Sequence, residues 1–190
     1  MIKRILIKFL FPKGIRMIYE TSDYQTKITV QYLWWNKILG YNKNIPWPTH
    51  PSSLITGPNN INLGIDVNPG YMPGCYIQAI GKINIGDFTQ IGPNVGIITA
   101  NHDLLDTRKH VVQEVKIGSY CWIGMGAIIL PGVIIGDNTI IGAGSIVTKS
   151  FPNGNCIIGG NPAKVLKHLS EKSIRNHQVQ HHYIGYEKLK

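Results

Sequence analysis

His102 and His110 lie in the segment ITANHDLLDTRKHVVQEVKIG, residues 98–118, with Asp103 and Asp106 between them. A neutral imidazole can take a proton from a hydroxyl near neutral pH, so a histidine in such a polar segment is a candidate general base. Asp103 or Asp106 could orient the ring, and so could a main-chain carbonyl. A lone histidine on a surface loop usually has no role. The position of His102 argues otherwise, because this segment is the one interruption in a regular chain.

The regularity is a period of six. An aliphatic residue recurs at Ile85, Ile91 and Ile97, then at Ile117, Ile123, Ile129, Ile135, Ile141 and Val147. The fifth position of each unit is small or modest, as at Thr89, Val95, Cys121, Ala127, Val133, Thr139 and Ser145. Strand alternation gives a period of two and helices 3.6, whereas a hexad belongs to a parallel β-helix of short strands and corners. The second position is Gly in most units but Ile98, Leu130 and Thr148 in three. The last two exceptions are eighteen residues apart, or three units, which predicts three sides per coil. Ile97 and Ile129 are thirty-two apart, fourteen more than one coil, so the three exceptions stack if residues 103–116 form an excursion. His102 then ends the last unit before it.

The flanks are less regular. Residues 1–50, with Trp34, Trp35 and Trp47, read as an N-terminal cap in which TKITVQYLWW is open between helix and strand. Residues 51–162 form the coil, irregular before Ile85, and residues 163–190 have the spacing and charge of a C-terminal helical tail. No linker divides the chain, so one domain is expected. The N-terminal apolar run is cut by Lys8 and is too short to span a bilayer. It is expected either to pack on the domain as a helix or to make peripheral contact with an anionic membrane surface. Cys75, Cys121 and Cys156 lack CxxC or metal spacing and read as buried thiols in a cytoplasmic protein.

From Ile85 to Leu166 the sequence resembles the hexapeptide-repeat acyltransferases, which include maltose, galactoside and polysaccharide O-acetyltransferases. IGPNVGIITANHD, KIGSYCWIGMGAIILPGVIIGDNTIIGAGSIVTKSFP and GGNPAKV carry the resemblance, in the family's order and spacing. It implies an all-β fold, a left-handed parallel β-helix with an extended catalytic loop, assembled as a homotrimer. It also implies acetyl-CoA in the groove between two subunits and no metal. His102 matches the family's catalytic histidine. Trp122 matches an aromatic residue near the thioester, and Gly124, Met125 and Ala143 match positions along the pantetheine arm. Thr148 and Lys149 match the adenine end, while Lys164 and Lys167 would reach the phosphates, a task for point charges. The family's polar sugar contacts have no clear counterpart around NPGYMPGCYIQ.

The resulting expectation is O-acetylation of a sugar hydroxyl during capsule or O-antigen assembly. N-acetylation of an amino sugar, or O-acetylation of serine, is the competing acceptor choice. A non-catalytic solenoid would not need the excursion, the histidine, or WIGMGA. A γ-class carbonic anhydrase uses three histidines with a pair spaced within the coils, whereas His102 and His110 lie on or beside the excursion without that spacing; a nucleotidyltransferase would need a preceding nucleotide domain. The formal charge of +9 gathers toward the two ends. That suits CoA, a membrane surface or a lipid-linked glycan better than nucleic acid.

Overall fold

The computed structural model describes residues 12–170 and 182–188. The expected helix at residues 2–10 falls outside them, as do residues 171–181 of the expected tail.

The hexads build a three-faced parallel coil. The first face stacks β1 (Leu54–Thr56), β3 (Tyr76–Gln78), β6 (Gly96–Ile98), β11 (Ile128–Ile129) and β14 (Ile146–Val147). The second holds β2 (Ile61–Leu63), β4 (Ile83–Ile85), β9 (Val115–Ile117) and β12 (Ile134–Ile135). The third holds β5 (Gln90–Ile91), β10 (Trp122–Ile123), β13 (Thr139–Ile141), β15 (Cys156–Gly159) and β16 (Lys164–His168). Ile97, Ile129 and Val147 stand in one register on the first face, as the three exceptions to the Gly pattern require. First-position residues fill the interior, with Ile97, Ile123 and Ile129 at 0% exposure. The small fifth-position residues are buried at the corners, including all of Thr89, Cys121, Thr139 and Ser145. A short strand cannot hold itself, so each coil depends on the apolar column it shares with its neighbours.

The excursion is a β-hairpin. β7 (Ala100–His102) pairs antiparallel with β8 (His110–Val112), and the coil resumes at Val115. It starts and ends earlier than residues 103–116, because Thr99 O already accepts from Gln113 N at 2.8 Å. The hexad phase records only inward-pointing residues and cannot register such pairing.

The expected C-terminal helix is not what the described tail residues form. Lys164–His168 is a strand, antiparallel to β15, and β17 (Tyr183–Ile184) pairs with β18 (Glu187–Lys188) in a hairpin. β15 ends the third face with unpaired backbone groups, and pairing them outweighs a modest helical preference. Gly159 leaves room for this, since a Cβ there would meet Leu166 Cδ1 at 2.9 Å.

Ahead of the coil lie α1 (Pro12–Glu20) and α2 (Val30–Leu33), the latter capped by the Thr29 hydroxyl accepting from Tyr32 N at 3.4 Å. A π-helical turn, Trp34–Ile38, follows directly, so the open stretch TKITVQYLWW is helical from Val30 onward and non-helical before it. Met17, Tyr24, Ile28 and Leu33 form a second small core with Tyr183 and Tyr186. The segment ahead of the coil and the β17–β18 hairpin are therefore packed together: Tyr186 Oη donates to Asn36 Oδ1 at 2.7 Å and Tyr183 Oη to Glu20. All three cysteines are buried, and burial pushes the Cys121 thiol up to about 11. No helix among the described residues is long and apolar enough to cross a membrane.

Candidate active site

His102 occupies the last position of β7, exposed, at the corner between the first and second faces. Its Nδ1 lies 2.5 Å from the Thr107 carbonyl oxygen. A carbonyl can only accept, so Nδ1 carries the proton and Nε2 keeps its lone pair. The ring is thus held as the tautomer whose Nε2 can accept a proton.

The carboxylates do different work. Asp103 Oδ1 accepts from Leu105 N at 2.8 Å and Asp106 N at 3.0 Å, which closes the hairpin turn. Those two N–H donors hold its carboxyl below the usual range. Asp106 is lowered too, chiefly by the Arg108 guanidinium, which it meets at 2.9 and 3.1 Å. Among the described residues, neither carboxylate forms an ion pair with His102. The main-chain carbonyl orients the ring, and the aspartates shape the turn that presents Thr107.

At its root the hairpin is tied to the coil beneath. The Thr99 hydroxyl donates to Gln78 O at 2.7 Å and accepts from Gly81 N at 2.9 Å, with Thr99 at 0% exposure. Gln78 Oε1 accepts from Ala100 N at 3.2 Å. Neither Thr99, Gln78 nor Thr107 stood out in the sequence. The interruption of the period after Ile97 and the missing Gly at Ile98 marked the corner, not these residues.

Trp122 projects from the outside of the third face and is 58% exposed. The register places Trp122, Ile140, Ile157 and Lys167 in one lateral row. Strands 4.7–4.9 Å apart make this row about 14 Å long, with an aromatic ring at one end, a cation at the other and aliphatic side chains between. Ile140 and Ile157 carried no signal beyond the repeat itself. Lys164 lies on the same edge strand, opposite Gly159. Among the described residues, none of Lys149, Lys164 and Lys167 forms an ion pair.

Met125 and Ala143 are exposed at the corner between the third and first faces, Met125 at 56%. Gly124 has a structural reason to lack a side chain: a Cβ there would lie 2.6 Å from Ala143 N and 2.7 Å from Ile141 O. Thr148 and Lys149 follow β14, at the same corner as His102 but two coils further along. The candidates therefore fall into separate groups around the prism. His102, Thr148 and Lys149 share one corner; Trp122 and Lys167 share the third face; Met125 and Ala143 share another corner. An open groove of about 520 Å³ outside the second face, lined by Asn84, Lys116, Ser119 and Asp137 among others, contains none of them. Among the described residues no group of three or more metal-ligating side chains converges.

Residues 114–149 match the family model described as bacterial transferase hexapeptide, six repeats. The crystal structure of a maltose O-acetyltransferase from Clostridium difficile 630 is 31% identical, with a TM-score of 0.56 over 86% of this chain and 90% of that one. The chain belongs to the hexapeptide-repeat acyltransferase family. Membership gives the coil its left hand. A galactoside acetyltransferase solved in complex with coenzyme A superposes with a TM-score of 0.64 at 26% identity, over 94% of this chain and 88% of that one. The galactoside O-acetyltransferase of Lactococcus lactis subsp. lactis is 40% identical over 50% of this chain and 47% of its own length. The matches span about half the length of the first curated relatives. Within this hexapeptide-repeat acyltransferase, the residues matched by the family model include Trp122, Gly124, Met125, Ala143, Thr148 and Lys149.

Proposed function

We propose that the chain is an acetyl-CoA-dependent O-acetyltransferase of a sugar hydroxyl, working in surface-polysaccharide assembly such as capsule or O-antigen. The observation that carries this reading is the committed tautomer of His102, which leaves the Nε2 lone pair available on an exposed residue of the hairpin. In this mechanism Nε2 takes the proton of the acceptor hydroxyl as the oxygen attacks the thioester carbonyl. The Thr107 carbonyl stabilises the imidazolium that forms. Collapse of the tetrahedral adduct breaks the C–S bond, and the imidazolium returns its proton to the departing thiolate. Main-chain N–H groups of a rigid coil are suited to hold the oxyanion.

The row from Trp122 to Lys167 suits the donor. Its aliphatic middle fits a pantetheine arm, and its lysine end, with Lys164, fits phosphates. Met125 and Ala143 flank the arm, with Thr148 and Lys149 toward adenine. His102 and Trp122 stand on different sides of one prism, so a complete site requires two chains. A homotrimer, in which each groove joins one protomer's hairpin to its neighbour's third face, supplies that arrangement. The acceptor class and the pathway follow the family likeness, and the basic chain ends suit an anionic or lipid-linked glycan.

The test is acetyl-CoA turnover against nucleotide sugars, oligosaccharides, amino sugars and serine, read by mass spectrometry. His102→Ala should lower kcat by about two to four orders of magnitude and leave the KM for acetyl-CoA nearly unchanged. A His102→Ala enzyme retaining most of its turnover on the preferred acceptor would sink the assignment.

A further inference from the structure

The function proposed above uses one histidine of the hairpin and leaves its neighbour without a task. His102 and His110 are directly opposite in the β7–β8 register, with ring centroids 4.8 Å apart and planes inclined by 39°. Asp103 N donates to Lys109 O in the adjoining pair, so the two histidines sit at a non-hydrogen-bonded position, where facing side chains lie closest. Both are exposed. His102 Nδ1 is committed to Thr107 O, which leaves Nε2, while the ring nitrogens of His110 carry no hydrogen bond among the described residues.

Two nitrogens bound to a tetrahedral zinc at 2.0–2.1 Å stand about 3.3 Å apart. With the rings at 4.8 Å and His102 held by Thr107, rotation of the exposed His110 side chain can bring one of its nitrogens to that spacing from His102 Nε2. The carbonyl on Nδ1 is the partner that commonly fixes a ligating histidine and raises its basicity. We propose that His102 and His110 form a two-imidazole chelate for a first-row transition-metal ion such as Zn²⁺, and that binding it reversibly inhibits the enzyme. This rests on His102 being the base, since the metal takes the same Nε2 lone pair.

Asp103 is engaged by two main-chain donors and Asp106 by Arg108 and Lys109, so water fills the remaining positions. That makes the site exchangeable rather than structural. Imidazole ligands favour Cu²⁺, Ni²⁺ and Zn²⁺, whereas Mg²⁺ prefers oxygen.

Calorimetric titration of the full chain with Zn²⁺, beside His102→Gln and His110→Gln, tests the proposal. One zinc per chain is expected, with affinity at least tenfold weaker in each variant and no binding of Mg²⁺. Turnover of the unaltered enzyme should fall as zinc occupancy rises and return on chelation, while His110→Gln should keep its turnover at the same zinc concentration. Equal zinc affinity in all three proteins overturns the chelate. Zinc binding that needs both histidines but leaves turnover intact upholds the chelate, overturns inhibition, and removes His102 as the base.

Discussion

Thr99 couples the β7–β8 hairpin to the coil, and replacing it with valine isolates that coupling. The substitution keeps the shape of the side chain and removes only its hydroxyl. Two bonds go with it, the 2.7 Å bond to Gln78 O and the 2.9 Å bond from Gly81 N. Gln78 O retains the Thr99 main-chain donor at 3.2 Å, so the group left short is Gly81 N–H. A lost intramolecular bond costs about 1 kcal/mol and a fully buried orphan about 1–3. Gly81 is half-buried and partly reached by water. The expected loss is therefore about 1–2 kcal/mol, or about half a molar in urea midpoint at an m-value of about 3 kcal/mol/M. Midpoints should be compared at one protein concentration, because assembly adds to stability. Thr99→Ser keeps both bonds and loses a methyl, so it should be destabilised by packing alone yet retain kcat. Thr99→Val should lose kcat several-fold as the hairpin root loosens. If Thr99→Val matches the original protein in both midpoint and kcat, the hairpin is not held through this side chain.

Mixing tests the two-chain site. His102→Ala and Trp122→Ala chains, each impaired alone, should regain turnover when unfolded and reassembled together, and light scattering should report three chains. A stable, fully active monomer, or no recovery in mixed assemblies, would exclude a shared groove. Neutralising Lys149, Lys164 or Lys167 should raise the KM for acetyl-CoA more at low salt than at high, because exposed charges are screened; an equal rise with acetyl-pantetheine would contradict a phosphate role. The Cys121 thiol, raised by burial from 9.0 to about 11, ionises later folded than unfolded. Its contribution is complete below pH 9 and is lost as pH climbs toward 11. Burial raises Tyr24, Tyr32 and Tyr186 in the same direction. The melting midpoint should fall across that window, less steeply in Cys121→Ala, and a flat profile would contradict the burial effect.

The parallel coil, its three faces and the stacking of Ile97, Ile129 and Val147 were legible in the sequence, because a repeat writes the same inward contact every six residues. The single break and its histidine were legible for the same reason: one departure is conspicuous against a strict period. Other features depend on residues distant in the chain, and no local pattern announces them. The β16 strand forms because β15 offers an unpaired edge, which overrides the helical spacing of Lys164–His168. Tyr183 and Tyr186 are buried because residues some 150 positions earlier, Glu20 and Asn36, receive their hydroxyls. The tautomer of His102 is set by Thr107, a residue whose side chain says nothing about its carbonyl. The row from Trp122 through Ile140 and Ile157 to Lys167 exists only once four strands lie side by side. Periodic burial is a property of single residues and survives in the sequence, whereas edges, carbonyl directions and lateral rows arise between elements and are decided by the tertiary structure.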